Sequence, residues 1–327
     1  MTPTAVTPTA EELLADCHVL SLPMRTRFRG ITTREVVLFQ GPAGWGEFAP
    51  FVEYDDVESV PWLRAGIEAA FQGPPEPCRE RVRVNATVPA VSADEVPGML
   101  ARYPGADTAK VKVAEKGQTL ADDIARVQAV RAEIPRVRVD ANGGWTVDEA
   151  VEALSRLLDG GDLEYAEQPC ASVSELVEVR RRLPGVRIAA DESIRRAEDP
   201  MRVVRAGGAD VAVVKVAPLG GMRAVLELAG ELGEYGVPVV VSSALDSAVG
   251  MSAGLAAAAA IPKLEFACGL GTGSLFTTDV CAVPDLIDGT LPAGPAVPEP
   301  ERLEALAASA ERVAFWHDRV RRVAGLL

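Results

Sequence analysis

From about Arg83 onward, eight short β-rich runs alternate with longer amphipathic runs, and five of the eight end in a charged residue at the same phase. The runs are VNATV at Val84, AKVKV at Ala109, VRVDA at Val137, LEYAE at Leu163, RIAAD at Arg187, VAVVKV at Val211, PVVVSSA at Pro238 and LEFACG at Leu264. Strands alternating with helices make βα units around a parallel sheet, and eight such units point to a closed barrel. The intervening helical patterns include LADDIARVQAVRAEI and TVDEAVEALSRLL. Thr146 opens the second of these with Glu149 three residues on, the spacing of a capping box.

In a β/α barrel the working side chains sit at the C-terminal ends of the strands. Here the second run ends with Lys110 and Lys112, the third with Asp140, the fourth with Glu167, the fifth with Asp191 and the sixth with Lys215, in steps of 24 to 28 residues. Each step is about one βα unit, so the groups converge on one mouth. Three carboxylates on consecutive strands offer only oxygen, the donor set of a hard divalent cation such as Mg²⁺. Such an ion can bind a substrate carboxylate and stabilise the enediolate left when a neighbouring proton departs. A lysine beside the ion loses its own proton more readily and can serve as a base near neutral pH. An isolated Asp after a strand commonly caps the next helix, and Asp191, within DES, has that setting. Five in-phase groups are not accounted for by caps and surface charge.

Other patterns carry less. DANGGW at Asp140 begins like a calcium loop, but Trp145 and Val151 stand where that loop needs Gly and Glu. GLGTGS after the eighth run lacks the last Gly of a dinucleotide fingerprint and lies at the wrong end of the domain. Ser242 and Ser243, ending the seventh run, are candidate substrate contacts. Only His18 and His317 exist, both outside the barrel, so a base at the mouth is Lys or a carboxylate. A Schiff-base aldolase would also use a barrel lysine, but would not need three metal-type carboxylates.

Residues 1–82 read differently: β-rich with turns over 17–54, a short helix over 57–71, and a Gly/Pro linker at Gly73–Cys78. Residues 280–327 are Pro-rich, then helical from about Pro300. The two segments are expected to form one α+β cap beside a barrel spanning 83–279. The formal net charge of −14 argues against nucleic acid or an anionic membrane as partner. The five scattered cysteines match no zinc spacing and suit a reducing cytoplasm. The N-terminus has neither the basic region nor the apolar core of a signal peptide.

The set of K-x-K at Lys110, DANGGW, EQP at Glu167, DES at Asp191 and KVAPLGG at Lys215 resembles the muconate-lactonizing-enzyme subgroup of the enolase superfamily, over about residues 17–285. The resemblance implies an α/β fold: a modified (β/α)7β TIM-type barrel with the cap built from both chain ends. It implies Mg²⁺ held by Asp140, Glu167 and Asp191, with Lys112 and Lys215 on opposite faces of a small-molecule carboxylate. Lys110, Arg25 and Arg27 are further expected substrate contacts, the two arginines lying in the cap segment SLPMRTRFRG. Within the subgroup, the compact length and shortened cap look most like the dehydratase that aromatises a cyclohexadiene carboxylate in menaquinone biosynthesis. An N-acylamino-acid racemase or dipeptide epimerase is the alternative, and a non-catalytic carboxylate-binding barrel is a third reading. The expected protein is cytoplasmic, binds no membrane, and is by default a monomer.

Overall fold

The computed structural model describes residues 7–28, 30–195 and 199–327; the first six residues of the expected cap lie outside these. Seven strands run in chain order around one parallel sheet: Ala86–Val88, Thr108–Lys112, Arg136–Asp140, Tyr165–Glu167, Ile188–Ala190, Val211–Lys215 and Val239–Ser242. They are short and rich in Val and Ala because both faces are covered. Helices such as Leu120–Arg131, Val147–Leu158, Val173–Arg182 and Met222–Glu234 pack outside them. The capping box expected at Thr146 is formed, its N–H donating to Glu149 Oε2 at 2.8 Å. Thr119 and Ser172 start their helices in the same way. Each box ends the loop after a strand and fixes where the chain turns back along the barrel.

The eighth run departs from expectation. No strand forms from Leu264; instead Cys268 bridges Val84 and Gly269 bridges Ser242. These two residues close the ring between the seventh strand and the first. The reason lies in the arginines nearby. Arg83 Nη2 takes the Glu265 carbonyl at 3.0 Å and Arg138 Nη1 takes that of Ala267 at 2.7 Å, so two carbonyls bond side chains rather than a strand ladder.

The interior is filled by Tyr165, Ala189, Val211, Val213, Val240 and Phe266, a packed core rather than a pore. Arg138 crosses its floor fully buried, with its guanidinium 4.7 Å from the centre of the Tyr165 ring. The buried charge is tolerable because Glu164, Ala267 O and Asn85 Oδ1 accept from it.

Beside the barrel stands an antiparallel sheet of Cys17–Phe28, Ile31–Gly41 and Gly44–Phe48. It shares one core with helix Asp56–Ile67 and the last helix, Ala310–Ala324, through Phe48, Trp62 and Trp316. Ser21 N donates to Leu306 O at 2.8 Å and Ala308 N to Val19 O at 2.9 Å, so the C-terminal segment extends the edge of the first cap strand. Buried Arg319 on the last helix donates to Phe51 O, Tyr54 O and Ser59 Oγ. Both chain ends therefore belong to one α+β cap.

Sheet and helix approach closely at Gly46, where an added Cβ would lie 2.2 Å from Gly66 O. Backbone cannot yield as a flexible side chain can. Gly46→Ala should therefore destabilise the protein by about 1–3 kcal/mol, read as a lower midpoint in thermal unfolding. An unchanged midpoint would show that the cap sheet moves off the helix at little cost. Among the described residues no helix is long and apolar enough to cross a membrane.

Candidate active site

Strand register sets the ring. Lys112 stands opposite Asp140, Asp140 opposite Glu167, and Lys215 opposite Ser242. Because side chains alternate along a strand, Lys110 and Lys112 share the inner face, as do Arg138 with Asp140 and Tyr165 with Glu167. The residues expected from the strand ends thus meet at the barrel mouth.

Lys110 Nζ lies 3.1 Å from Asp140 Oδ2 and 2.7 Å from Glu167 Oε1. Lys215 Nζ lies 2.5 Å from Asp191 Oδ2, and Arg195 Nε 3.0 Å from Asp191 Oδ1. Asp191 is therefore not a helix cap: its carboxylate faces two cations instead of the N–H groups of the helix it precedes. Lys110, an expected substrate contact, bridges two of the carboxylates. Lys112 is half-buried and forms no ion pair among the described residues.

Burial would raise all three carboxyls, and the neighbours decide the outcome. Asp191 is held below its ordinary value because Lys215 and Arg195 outweigh its burial. Asp140 is lowered because Lys110 and Lys112 outweigh its own. Glu167 is pushed up to about 7 by burial, with Asp140 and Asp191 adding to the rise against the pull of Lys110. For Lys110, burial works against the charge, but Asp140 and Glu167 lift its pKa well above the ordinary lysine value.

Among the described residues no trio of His, Cys, Asp or Glu side chains forms a ready metal centre; lysine and arginine nitrogens hold the carboxylate oxygens instead. The donor set nonetheless fits a hard cation. When ionised, all three groups offer only acceptor oxygens, Glu167 Oε2 is buried with no hydrogen-bond partner among the described residues, and like charge crowds Glu167. Asp140, Glu167 and Asp191 are the groups that could hold such an ion.

The residues that hold the ring were not evident as sequence signals. Gln168 Oε1 accepts from Asp191 N at 3.1 Å and Ser193 N at 3.2 Å, tying the fourth strand's exit to the fifth. Arg126, fully buried on the helix after Lys112, donates to Lys112 O at 2.7 Å and to Asp123 Oδ1 at 2.9 Å. Arg195 reaches Tyr54 Oη of the cap at 3.1 Å. Ala114, Asn142, Gln168 and Leu245 all have left-handed backbone, φ 58°, 45°, 38° and 60°. Each lies within three residues of a strand end that faces the mouth. Non-glycine residues rarely adopt this region, and such strain gathers at functional sites. Asn142 and Gln168 lie within the DANGGW and EQP motifs, each just after a charged strand end.

Ser242 and Ser243 are buried beside the eighth segment, Ser243 Oγ 2.6 Å from Thr272 Oγ1. Arg25 donates to Thr277 O at 3.2 Å, and Arg27 is exposed on the first cap strand. A cavity of about 790 Å³, lined by Arg25, Tyr103, Met251, Leu270 and Phe276, lies outside the barrel. None of the ring residues lines it.

A family model described as enolase C-terminal domain-like matches residues 93–295, and one described as enolase N-terminal domain-like matches residues 19–70. The chain belongs to the enolase superfamily. It is 60% identical to the o-succinylbenzoate synthase of Mycolicibacterium smegmatis over 313 residues, 96% of each chain. It is 59% identical to that of Mycobacterium leprae, over 98% of this chain and 95% of the relative. Among solved structures of the superfamily's fold, the muconate lactonizing enzyme of Pseudomonas putida is similar with a TM-score of 0.74 and 21% identity, covering 90% of this chain and 98% of that one. A dipeptide epimerase from Enterococcus faecalis is similar with a TM-score of 0.69 and 22% identity, covering 85% and 96%. At such identities the two structures speak to the fold alone. The superfamily's barrel and cap are those described above.

Proposed function

We propose that this chain is an o-succinylbenzoate synthase, a Mg²⁺-dependent carbon–oxygen lyase of menaquinone biosynthesis that dehydrates 2-succinyl-6-hydroxy-2,4-cyclohexadiene-1-carboxylate. What carries the reading is near 60% identity, over almost the whole length, to proteins of that name. The mouth supplies the chemistry. Lys112 takes the proton α to the ring carboxylate. The same ammonium then returns a proton to the departing hydroxyl on the same face, so one C–H and one C–O bond break and water leaves. The ring becomes aromatic, which drives the second step. Mg²⁺ on Asp140, Glu167 and Asp191 would neutralise charge building on the substrate carboxylate. Lys215, held by Asp191, faces the ring as a cation, and Ser242 and Ser243 are placed to bond substrate oxygens. Five free cysteines suit the reducing cytoplasm.

Purified protein supplied with Mg²⁺ and the cyclohexadiene substrate should form o-succinylbenzoate. Efficient inversion of N-acyl amino acids with no o-succinylbenzoate would replace this reading with a racemase. Lys215 separates the two. A racemase needs a proton carrier on each face, whereas the dehydratase needs only a charge there. Arginine keeps the charge but does not exchange protons near neutral pH. Lys215→Arg should retain measurable dehydration, within about 10²-fold of wild type; loss to background in a folded variant would make Lys215 a proton carrier.

A further inference from the structure

A second pair of buried carboxylates lies at the joint between cap and barrel, outside the ring. Glu47 comes from the third cap strand. Its Oε2 accepts from Ser247 N at 3.1 Å, from Ser247 Oγ, and from Gly250 N at 3.3 Å. These donors belong to the start of helix Ala248–Ala260, which follows the seventh barrel strand. Asp246 is in the same loop. Its Oδ2 accepts from Ala244 N at 3.1 Å, whereas Oδ1 is buried with no hydrogen-bond partner among the described residues. The two carboxyls adjoin: a Cβ built on Gly250 would meet Glu47 Oε1 at 2.7 Å and Asp246 Cβ at 2.8 Å. A cavity of about 20 Å³ beside them has room for one water at most.

Charge balance at the joint requires a proton. The charged groups facing the pair are Arg34 from the second cap strand, Lys215 from the sixth barrel strand and Asp279 from the segment after the barrel. Lys215 is already paired with Asp191. Asp279 is a further carboxyl, bonded to Ala248 N and Val280 N. Arg34 donates to Leu245 O and Ala49 O and is the cation facing both members. Two buried carboxylates beside one such guanidinium leave an excess negative charge that a low-dielectric site does not hold. Burial first, and then Asp246, push Glu47 up to about 8. Asp246 is also raised, by burial.

We propose that Glu47 and Asp246 share one proton, directly or through a single water, and that this hydrogen bond positions the loop carrying Ser242 and Ser243 over the candidate site. Glu47 is the donor. It supplies the missing partner of Asp246 Oδ1 while its other oxygen holds the helix start. Both act as positioning residues, since neither reaches the reacting atoms.

Glu47→Gln keeps the shape and the donor but cannot titrate, which gives the test. A carboxyl raised in the folded state binds its proton more tightly there than in the unfolded chain. Its contribution to stability is therefore full below the unfolded value of 4.5, declines as pH rises, and levels off above the folded value near 8. Thermal unfolding of wild type and Glu47→Gln across pH 5 to 9 should show the variant gaining on wild type up to about pH 8 and then running parallel. Curves parallel throughout would overturn the shared proton. This measurement does not depend on the proposed reaction. Positioning, which rests on that reaction, is read at pH 7. Glu47→Ala should raise KM by about tenfold with kcat lowered much less, and Glu47→Gln should restore the wild-type KM. An unchanged KM in Glu47→Ala, with o-succinylbenzoate still formed, would overturn the positioning role.

Discussion

Replacing Lys112 with alanine should lower kcat by about 10³- to 10⁴-fold, the usual worth of a placed general base and acid, while substrate binding falls far less. The site distinguishes its three lysines. Lys110 is bridged to Asp140 and Glu167, and Lys215 is paired with Asp191. Lys112 forms no ion pair among the described residues, yet its backbone is pinned by Arg126 Nη1 at 2.7 Å. A side chain anchored at its base and unpaired at its tip can accept a proton and return it to the same face. In the proposed reaction one residue does both, so its loss removes both steps. Exchange of the substrate's α-proton with solvent deuterium, followed alongside product formation, checks this. Lys112→Ala protein with wild-type turnover or exchange would place the base elsewhere. An unfolding temperature close to wild type would exclude collapse of the fold as the cause.

Removal of divalent metal should take the activity to background, and added Mg²⁺ should restore it. Asp191→Asn should cost at least about 10²-fold in kcat/KM, since several kcal/mol of charge stabilisation goes with the ion. The substitution acts twice. It removes one unit of ligand charge, and it leaves Lys215 and Arg195 without the carboxylate both now face. Asp140→Asn and Glu167→Gln remove ligand charge but free Lys110 instead. Asp191→Asn should therefore alone disturb the cation on the far face, and more Mg²⁺ should recover it less fully than the other two. Full activity in excess chelator would show that the three carboxylates serve only to pair the neighbouring cations.

The features read correctly along the chain are those that depend on a few neighbouring residues. The strands at Ala109, Val137 and Val211 announce themselves through runs of β-branched residues, and Thr146 with Glu149 marks a helix start through a local pair of hydrogen bonds. The positions of Lys112, Asp140, Glu167, Asp191 and Lys215 follow from the same logic, because a barrel repeats one unit and places each strand end at the same height. The failure at Leu264 is of the other kind. That run has strand-like residues, but two of its carbonyls, those of Glu265 and Ala267, are taken by Arg83 and Arg138, which are remote in the chain.

The sequence by itself determined the order of βα units, the phase of the charged strand ends and the chemistry those ends offer, since each is set by spacing and side-chain type. Only the tertiary structure decided which cation pairs with which carboxylate, leaving Lys112 without an ion pair among the described residues and Lys110 bridging Asp140 and Glu167. It alone brought Tyr54 to Arg195, and Glu47 to Ser247, 200 residues away. The physical reason is that a buried charge is tolerable only beside its complement, and which groups become neighbours in the low-dielectric interior is fixed when cap and barrel close on each other.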